Sequence, residues 1–107
     1  MDHTQYQRIK RLYAEIPGSV IRDRFFGPEQ DSSRPRGYRY LSADVKAPHS
    51  EIAHHLAIVG AVAVASRGAL FMHVHADGVV ISLGLSGEPS PEDLLADAQP
   101  APVEVVQ

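Results

Sequence analysis

Cysteine is absent from this chain, which excludes a disulfide framework, a thiolate metal site and a cysteine nucleophile together. Long apolar runs are missing too. The longest, Leu56 to Ala65, is about half a membrane span. The opening MDHTQYQRIKRLYAEIPG is charged and amphipathic, without the apolar centre of a secretory signal. A soluble, cytoplasmic protein with no membrane contact is therefore expected. The glycines at 60, 68, 78, 84 and 87 form neither G-x-G-x-x-G nor G-K-[ST], so no phosphate loop is present. No serine has the surroundings of an activated nucleophile, and Glu92 and Asp93 read as partners of a helix dipole rather than as a catalytic dyad.

Cations are almost missing from the second half. Residues 1–46 hold nine Lys/Arg against six Asp/Glu, a balance of +3, whereas residues 47–107 hold only Arg67 against seven acids, a balance of −6. A basic front joined to an acidic back suits intramolecular complementarity or head-to-tail contact. It does not suit a dedicated nucleic-acid domain, which is usually basic overall.

The 107 residues, 44% of them hydrophobic, can build one core without staples. Tyr6, Ile9, Tyr13 and Ile16 recur at helical spacing and predict a first helix from Thr4 to Ile16, capped by Asp2 or Thr4 and ended by Pro17-Gly18. Val20–Phe26 and Tyr38–Val45 read as strands joined by the loop GPEQDSSRPRG, whose turn-rich composition predicts mobility. A second helix should start near His49-Ser50-Glu51 and end at Gly68; an extra strand through Val62 and Val64 is the competing reading. LAIVGAVAVA in that helix has no polar side, and a helix apolar all round must be covered all round. A homo-oligomer with this helix at its interface is expected.

Leu70–Leu85 reads as a β-hairpin turning at Asp77-Gly78. This register pairs Ala76 with Val79, Val74 with Ile81, Met72 with Leu83 and Leu70 with Leu85 on one face. His75–Val80, His73–Ser82 and Phe71–Gly84 then share the other. Ser90, Pro91 and Glu92-Asp93 begin a third helix, stopped before Pro100. The order α-β-β-α-β-β-α describes a two-layer α+β domain over residues 1–98, with helices on one face of an antiparallel sheet. Residues 99–107, rich in proline and valine, are expected to form a flexible tail.

Two constellations could carry function. Arg22, Arg24, Arg34, Arg36, Tyr38 and Arg39 interleave guanidinium and aromatic groups, which suits a protein partner and less well a nucleic acid. His73 and His75, two apart on a strand, point to one side and could hold a divalent metal with His54 or His55, or with His49, Glu51 or Asp77. If the second helix covers the apolar hairpin face, however, the two histidine groups lie on opposite sides of the sheet. With no catalytic motif present, the expected function is a small regulatory or inhibitor-type protein without enzymatic activity or cofactor. It would bind a macromolecule through its basic, aromatic N-terminal half. The alternative is a metal-dependent or acid–base enzyme built on the hairpin histidines.

Overall fold

The computed structural model describes residues 1–98; the tail expected over 99–107 lies outside them. Helix α1 spans His3–Ala14, strand β1 Val20–Phe26, β2 Tyr38–Ala47, helix α2 Ile52–Ser66, β3 Ala69–His75, β4 Gly78–Gly87 and helix α3 Pro91–Ala98. The four strands form one antiparallel sheet in the order β1-β2-β4-β3. This is the expected α+β class and element order. Among the described residues no helix is long and apolar enough to cross a membrane.

The core follows from strand alternation. Leu41, Ala43, Val45 and Ala47 of β2 and Val79, Ile81, Leu83 and Leu85 of β4 are buried on one face of the central strands. Each of the larger side chains contributes about 1.5–3 kcal/mol by leaving water. Over them lie Tyr6, Tyr13 and Ile16 from α1 and its exit, with Val59 and Ala63 from α2. The Asp2 carboxylate accepts the Gln5 N–H at 2.8 Å and caps α1. Where the two helices meet, Ser66 Oγ donates to the Val62 carbonyl at 2.7 Å, leaving its lone pairs to accept the Tyr13 hydroxyl at 3.2 Å. Burial in this contact pushes the Tyr13 phenol up.

Helix α2 runs unbroken through Val62 and Val64, so the extra strand is not formed. Its turn-off uses Arg67 in the left-handed region at φ 57°, one residue before Gly68. A Cβ on Gly68 would meet the Tyr13 hydroxyl at 2.5 Å. The glycine therefore stands where the chain must close against α1, and Arg67 takes the strained backbone.

The hairpin departs from expectation in register. His75 pairs with Gly78, His73 with Val80 and Phe71 with Ser82, while Val74 meets Val79, Met72 meets Ile81 and Leu70 meets Leu83. The turn is Ala76-Asp77, and neither residue has positive φ. Gly78 belongs to β4, where a Cβ would lie 2.5 Å from the Ala47 carbonyl oxygen. Close approach of β2, rather than turn geometry, is what requires a glycine there. Moving the pairing by two positions preserves parity, so every side chain keeps its predicted face.

Helix α2 rests over β4 and reaches β2 and β3, but it does not cover the hairpin's apolar face as a whole. Leu70, Met72 and Val74 remain 40%, 47% and 64% exposed, and all seven residues of β3 are exposed. Ala53, Ala57, Ala61 and Val64 on α2 also face outward.

Candidate interaction surface

The helices occupy one side of the sheet, leaving the other uncovered. Strand parity places Arg22, Arg24 and Phe26 of β1 on the uncovered side, beside Tyr38, Tyr40, Ser42, Asp44 and Lys46 of β2. Ser86, Gly84, Ser82 and Val80 of β4 and then Phe71, His73 and His75 of β3 complete it. Arg22, Arg24 and Lys46 are exposed, with Asp44 half-buried among them. This face is therefore net basic although the chain carries −3 overall.

At its β1–β2 end the face carries a stacked ladder. Phe26 and Tyr38 are direct cross-strand partners, with ring centroids 5.2 Å apart and planes inclined by 22°. The Arg24 guanidinium lies 5.2 Å from the Phe26 centroid and that of Arg34 lies 4.7 Å from Tyr38. The rungs are thus Arg24, Phe26, Tyr38 and Arg34. A guanidinium held over a ring at these distances keeps N–H groups that can still donate to a partner.

Arg34 reaches this position through a loop of successive hydrogen-bonded turns. Gln30 N–H donates to the Gly27 carbonyl, Asp31 N–H to Pro28, Arg34 N–H to Asp31 and Gly37 N–H to Arg34, all at 2.9–3.3 Å. The Asp31 carboxylate accepts the Ser33 hydroxyl at 2.7 Å and its N–H at 2.9 Å. These bonds hold Asp31 below the usual carboxylate range. Gly37, at φ 79°, ends the loop where a Cβ would meet the Phe26 carbonyl oxygen at 2.5 Å. Arg36 is exposed on the same loop. With Arg34, Tyr38, Ser86, Glu88 and Leu94 it lines a cavity of about 340 Å³.

Arg39 behaves differently from the other predicted contacts. It shares the parity of Leu41, Ala43 and Val45, so its side chain points to the helix side. There its Nε and Nη2 donate to the two Asp93 oxygens at 2.7 and 2.8 Å, and Nη1 donates to Asp23 at 3.1 Å. Asp23 also accepts the Tyr6 hydroxyl at 2.6 Å and Lys10 Nζ at 2.8 Å. Asp93 and Ser90 cap each other, Ser90 N–H donating to the carboxylate at 2.9 Å and Asp93 N–H to the hydroxyl at 3.0 Å. One network thereby joins α1, β1, β2 and α3.

The charges within that network shift accordingly. Arg39 hydrogen bonds are the main cause holding Asp93 down at about 2, against a smaller opposing effect of burial. Burial would raise Asp23, but hydrogen bonds from Lys10, Tyr6 and Arg39 together outweigh it and hold the carboxyl below its ordinary value. Burial first, then the Asp23 hydrogen bond, pushes the Tyr6 phenol well above its usual range. Sequence reasoning missed Tyr6, Asp23 and the Arg39 partnership of Asp93. The available signals were the inward parity of positions 23 and 39 and the Ser90-x-x-Asp93 capping pattern.

The histidines are spread over both layers. His73 and His75 lie together on the uncovered face, ring centroids 6.5 Å apart. His54 and His55 are on α2, in an edge contact at 5.3 Å, with His55 Nε2 3.6 Å from Glu51. The sheet lies between the two pairs. Among the described residues no three His, Asp or Glu side chains converge on a point that could hold a metal ion. His49 has a structural role, its Nε2–H donating to the carbonyls of His75 at 2.7 Å and Gly78 at 3.1 Å. That contact ties the hairpin tip to the exit of β2. No protein family model matches the chain, and no curated protein or solved structure is significantly similar to it.

Proposed function

We propose that this chain is a small regulatory or inhibitor-type binding protein without enzymatic activity. It acts in the cytoplasm as a homo-oligomer and docks an acidic protein segment on the β1–β2 end of its uncovered sheet face. The observation that carries this reading is the Arg24–Phe26–Tyr38–Arg34 ladder, flanked by Arg22 and by Arg36 at the neighbouring cavity. Guanidinium groups held on aromatic faces lose less side-chain freedom on binding, and their N–H edges match carboxylates. Arg39 supports the docking surface from behind by fixing β2 to α3.

The same ladder favours a protein over a single-stranded nucleic acid. Phe26 and Tyr38 stack on each other and each receives a guanidinium, so the ring faces a base would need are taken within the chain. The test is titration of the ¹⁵N-labelled protein with a glutamate-rich peptide and, separately, with an oligothymidine. The expected result is amide shifts confined to residues 22–26 and 34–40 with the peptide, reduced at least tenfold in affinity by Arg24→Ala with Arg34→Ala. Tighter binding of the oligothymidine at these residues, or peptide shifts elsewhere, overturns the reading.

A further inference from the structure

We infer that the exposed edge of β3 is the dimer interface of this protein, two copies pairing β3 with β3 about a twofold axis at Met72 to make a continuous eight-stranded sheet. This deepens the self-association in the proposed function, and it stands on residues separate from the docking ladder.

Edge strands ordinarily carry a device against pairing: a lysine, a proline, a bulge or an inward charge. The other edge, β1, has Arg22, Asp23 and Arg24. Ala69–His75 has no Lys, Arg, Asp, Glu or Pro, and its seven residues pair with β4 without a bulge. It exposes apolar side chains on both faces, Leu70, Met72 and Val74 toward the helix layer and Phe71 toward the uncovered side. At 40%, 47%, 64% and 52% exposure these four residues leave about 400 Å² of accessible surface, backbone included, along the two faces of one edge, comparable in size with the largest patch on a typical monomer. The edge backbone and the outward alanines of α2 add to it, toward the ~800 Å² per partner of a standard interface.

A second copy is the occupant that answers both deficits, the unpaired backbone and the apolar helix-side layer beside it. Two identical antiparallel strands pair about a twofold axis that sets one residue opposite itself. Opposed residues share a face, so Leu70, Met72 and Val74 of one copy meet the same set of the other, and both helix layers fall on one side. Placing the axis at Met72, the midpoint of Ala69–His75, pairs all seven residues, whereas an axis at Phe71 or His73 loses two pairs. Leu70 then faces Val74, Phe71 faces His73 and Ala69 faces His75 across the dyad. No like charges oppose each other. The two basic ladders end up on one continuous face at its opposite ends, about 30 Å apart across the strands and about 45 Å apart along them at ordinary strand dimensions, which suits a partner presenting two well-separated acidic segments.

The test is sedimentation equilibrium of the full chain at concentrations up to the order of 100 µM, where micromolar association is nearly complete, with circular dichroism to verify folding. Because Met72 and Val74 are already 47% and 64% exposed, both lysine variants should leave the monomer folded while weakening the dimer about 100-fold, Met72→Lys by opposing like charges at the dyad and Val74→Lys by setting an ammonium against the Leu70 side chain of the other copy. Val20→Lys, at a 57% exposed position on the other edge, should leave the dimer intact. The absence of native cysteine allows the register to be read directly. Met72→Cys should oxidise to a covalent dimer, since facing Cβ atoms about 4.5–5.5 Å apart approach disulfide geometry, whereas Leu70→Cys should not. A monomeric wild type overturns both the interface and the oligomeric part of the proposed function. A dimer that survives both lysines, or that Val20→Lys dissociates, keeps the self-association and overturns this interface. Crosslinking at Leu70→Cys in place of Met72→Cys overturns the dyad.

Discussion

Arg39 and Asp93 form a two-point ion pair across the fold, Nε to Oδ2 at 2.7 Å and Nη2 to Oδ1 at 2.8 Å, with side chains only 22% and 11% exposed. The pair joins the second strand to the last helix, and through Asp23 it continues to α1. Removing the guanidinium leaves two carboxylates near each other in a partly dry site. Arg39→Met should therefore cost about 2–3 kcal/mol, below the full figure for a buried pair because solvent still reaches the site. Arg39→Lys should recover less than half, since an ammonium cannot make the forked contact. Arg34→Ala, on a half-exposed loop position, should change stability by no more than about 0.5 kcal/mol. Urea unfolding of the three variants checks the order, and equal losses at 39 and 34 would refute the internal role of Arg39.

The same network gives a direction to acid unfolding. Asp93 is held at about 2 in the folded chain, below the ~3.9 of an unfolded aspartate. The unfolded state therefore binds more protons between these values. The resulting stability, about 2 kcal/mol, is complete above about pH 5 and is lost as pH falls from there toward 2. Asp23 is shifted in the same direction and reinforces the trend. Stability of the wild type and Asp93→Asn, compared by urea titration from pH 7 to pH 2, should converge as the pH falls. A difference that stays constant to pH 2 would show that Asp93 is not ionised through its pair with Arg39.

Faces were more legible in the sequence than contacts. Leu70, Met72 and Val74 alternate, as do Val79, Ile81 and Leu83, so parity alone assigned the two sides of the hairpin correctly. The turn was misplaced because Asp77-Gly78 satisfies local turn chemistry, while the requirement that Gly78 lie against the Ala47 carbonyl comes from a strand 31 positions earlier. Arg39 was grouped with the surface arginines although its parity with Leu41 pointed inward. Its partner Asp93 stands 54 residues away on a separate helix, a distance no local period reports. The ladder lay between these cases. Its residue types were visible, but the pairing of Phe26 with Tyr38 depends on how the loop between them closes at Gly37.

Two glycines should respond in opposite directions to the same substitution. A Cβ on Gly87 would enter the ring of Tyr6, which is fully buried and hydrogen-bonded to Asp23. Gly87→Ala must therefore displace a fixed aromatic side chain, and should cost about 1–3 kcal/mol. Gly60 lies within α2 with nothing within 4 Å of its Cβ position. Gly60→Ala should add about 0.5–1 kcal/mol by lowering the entropy of the unfolded chain and restoring helix propensity. Thermal unfolding of the two variants beside the wild type measures both signs, and a stabilising Gly87→Ala would contradict the packing of Tyr6 on β4.

His49 anchors the hairpin tip by one N–H shared between two carbonyls, those of His75 and Gly78. Because only Nε2–H can donate there, the neutral ring must keep its proton on that nitrogen. His49→Ala removes the donor and leaves carbonyls that water can reach, so the global loss should be modest, about 0.5–1.5 kcal/mol. The local effect should be larger. The anchored segment is the end of β3, exposed on both faces, and its other attachment is the ladder to β4. Amide exchange in His49→Ala should therefore accelerate at residues 74–79 well beyond the change seen at Leu41 or Ile81, which lie in the core. His49→Gln, whose amide can donate to the same carbonyls, should restore part of the protection. Uniform acceleration over the whole sheet would mean that the substitution acts through global unfolding instead of through the tip.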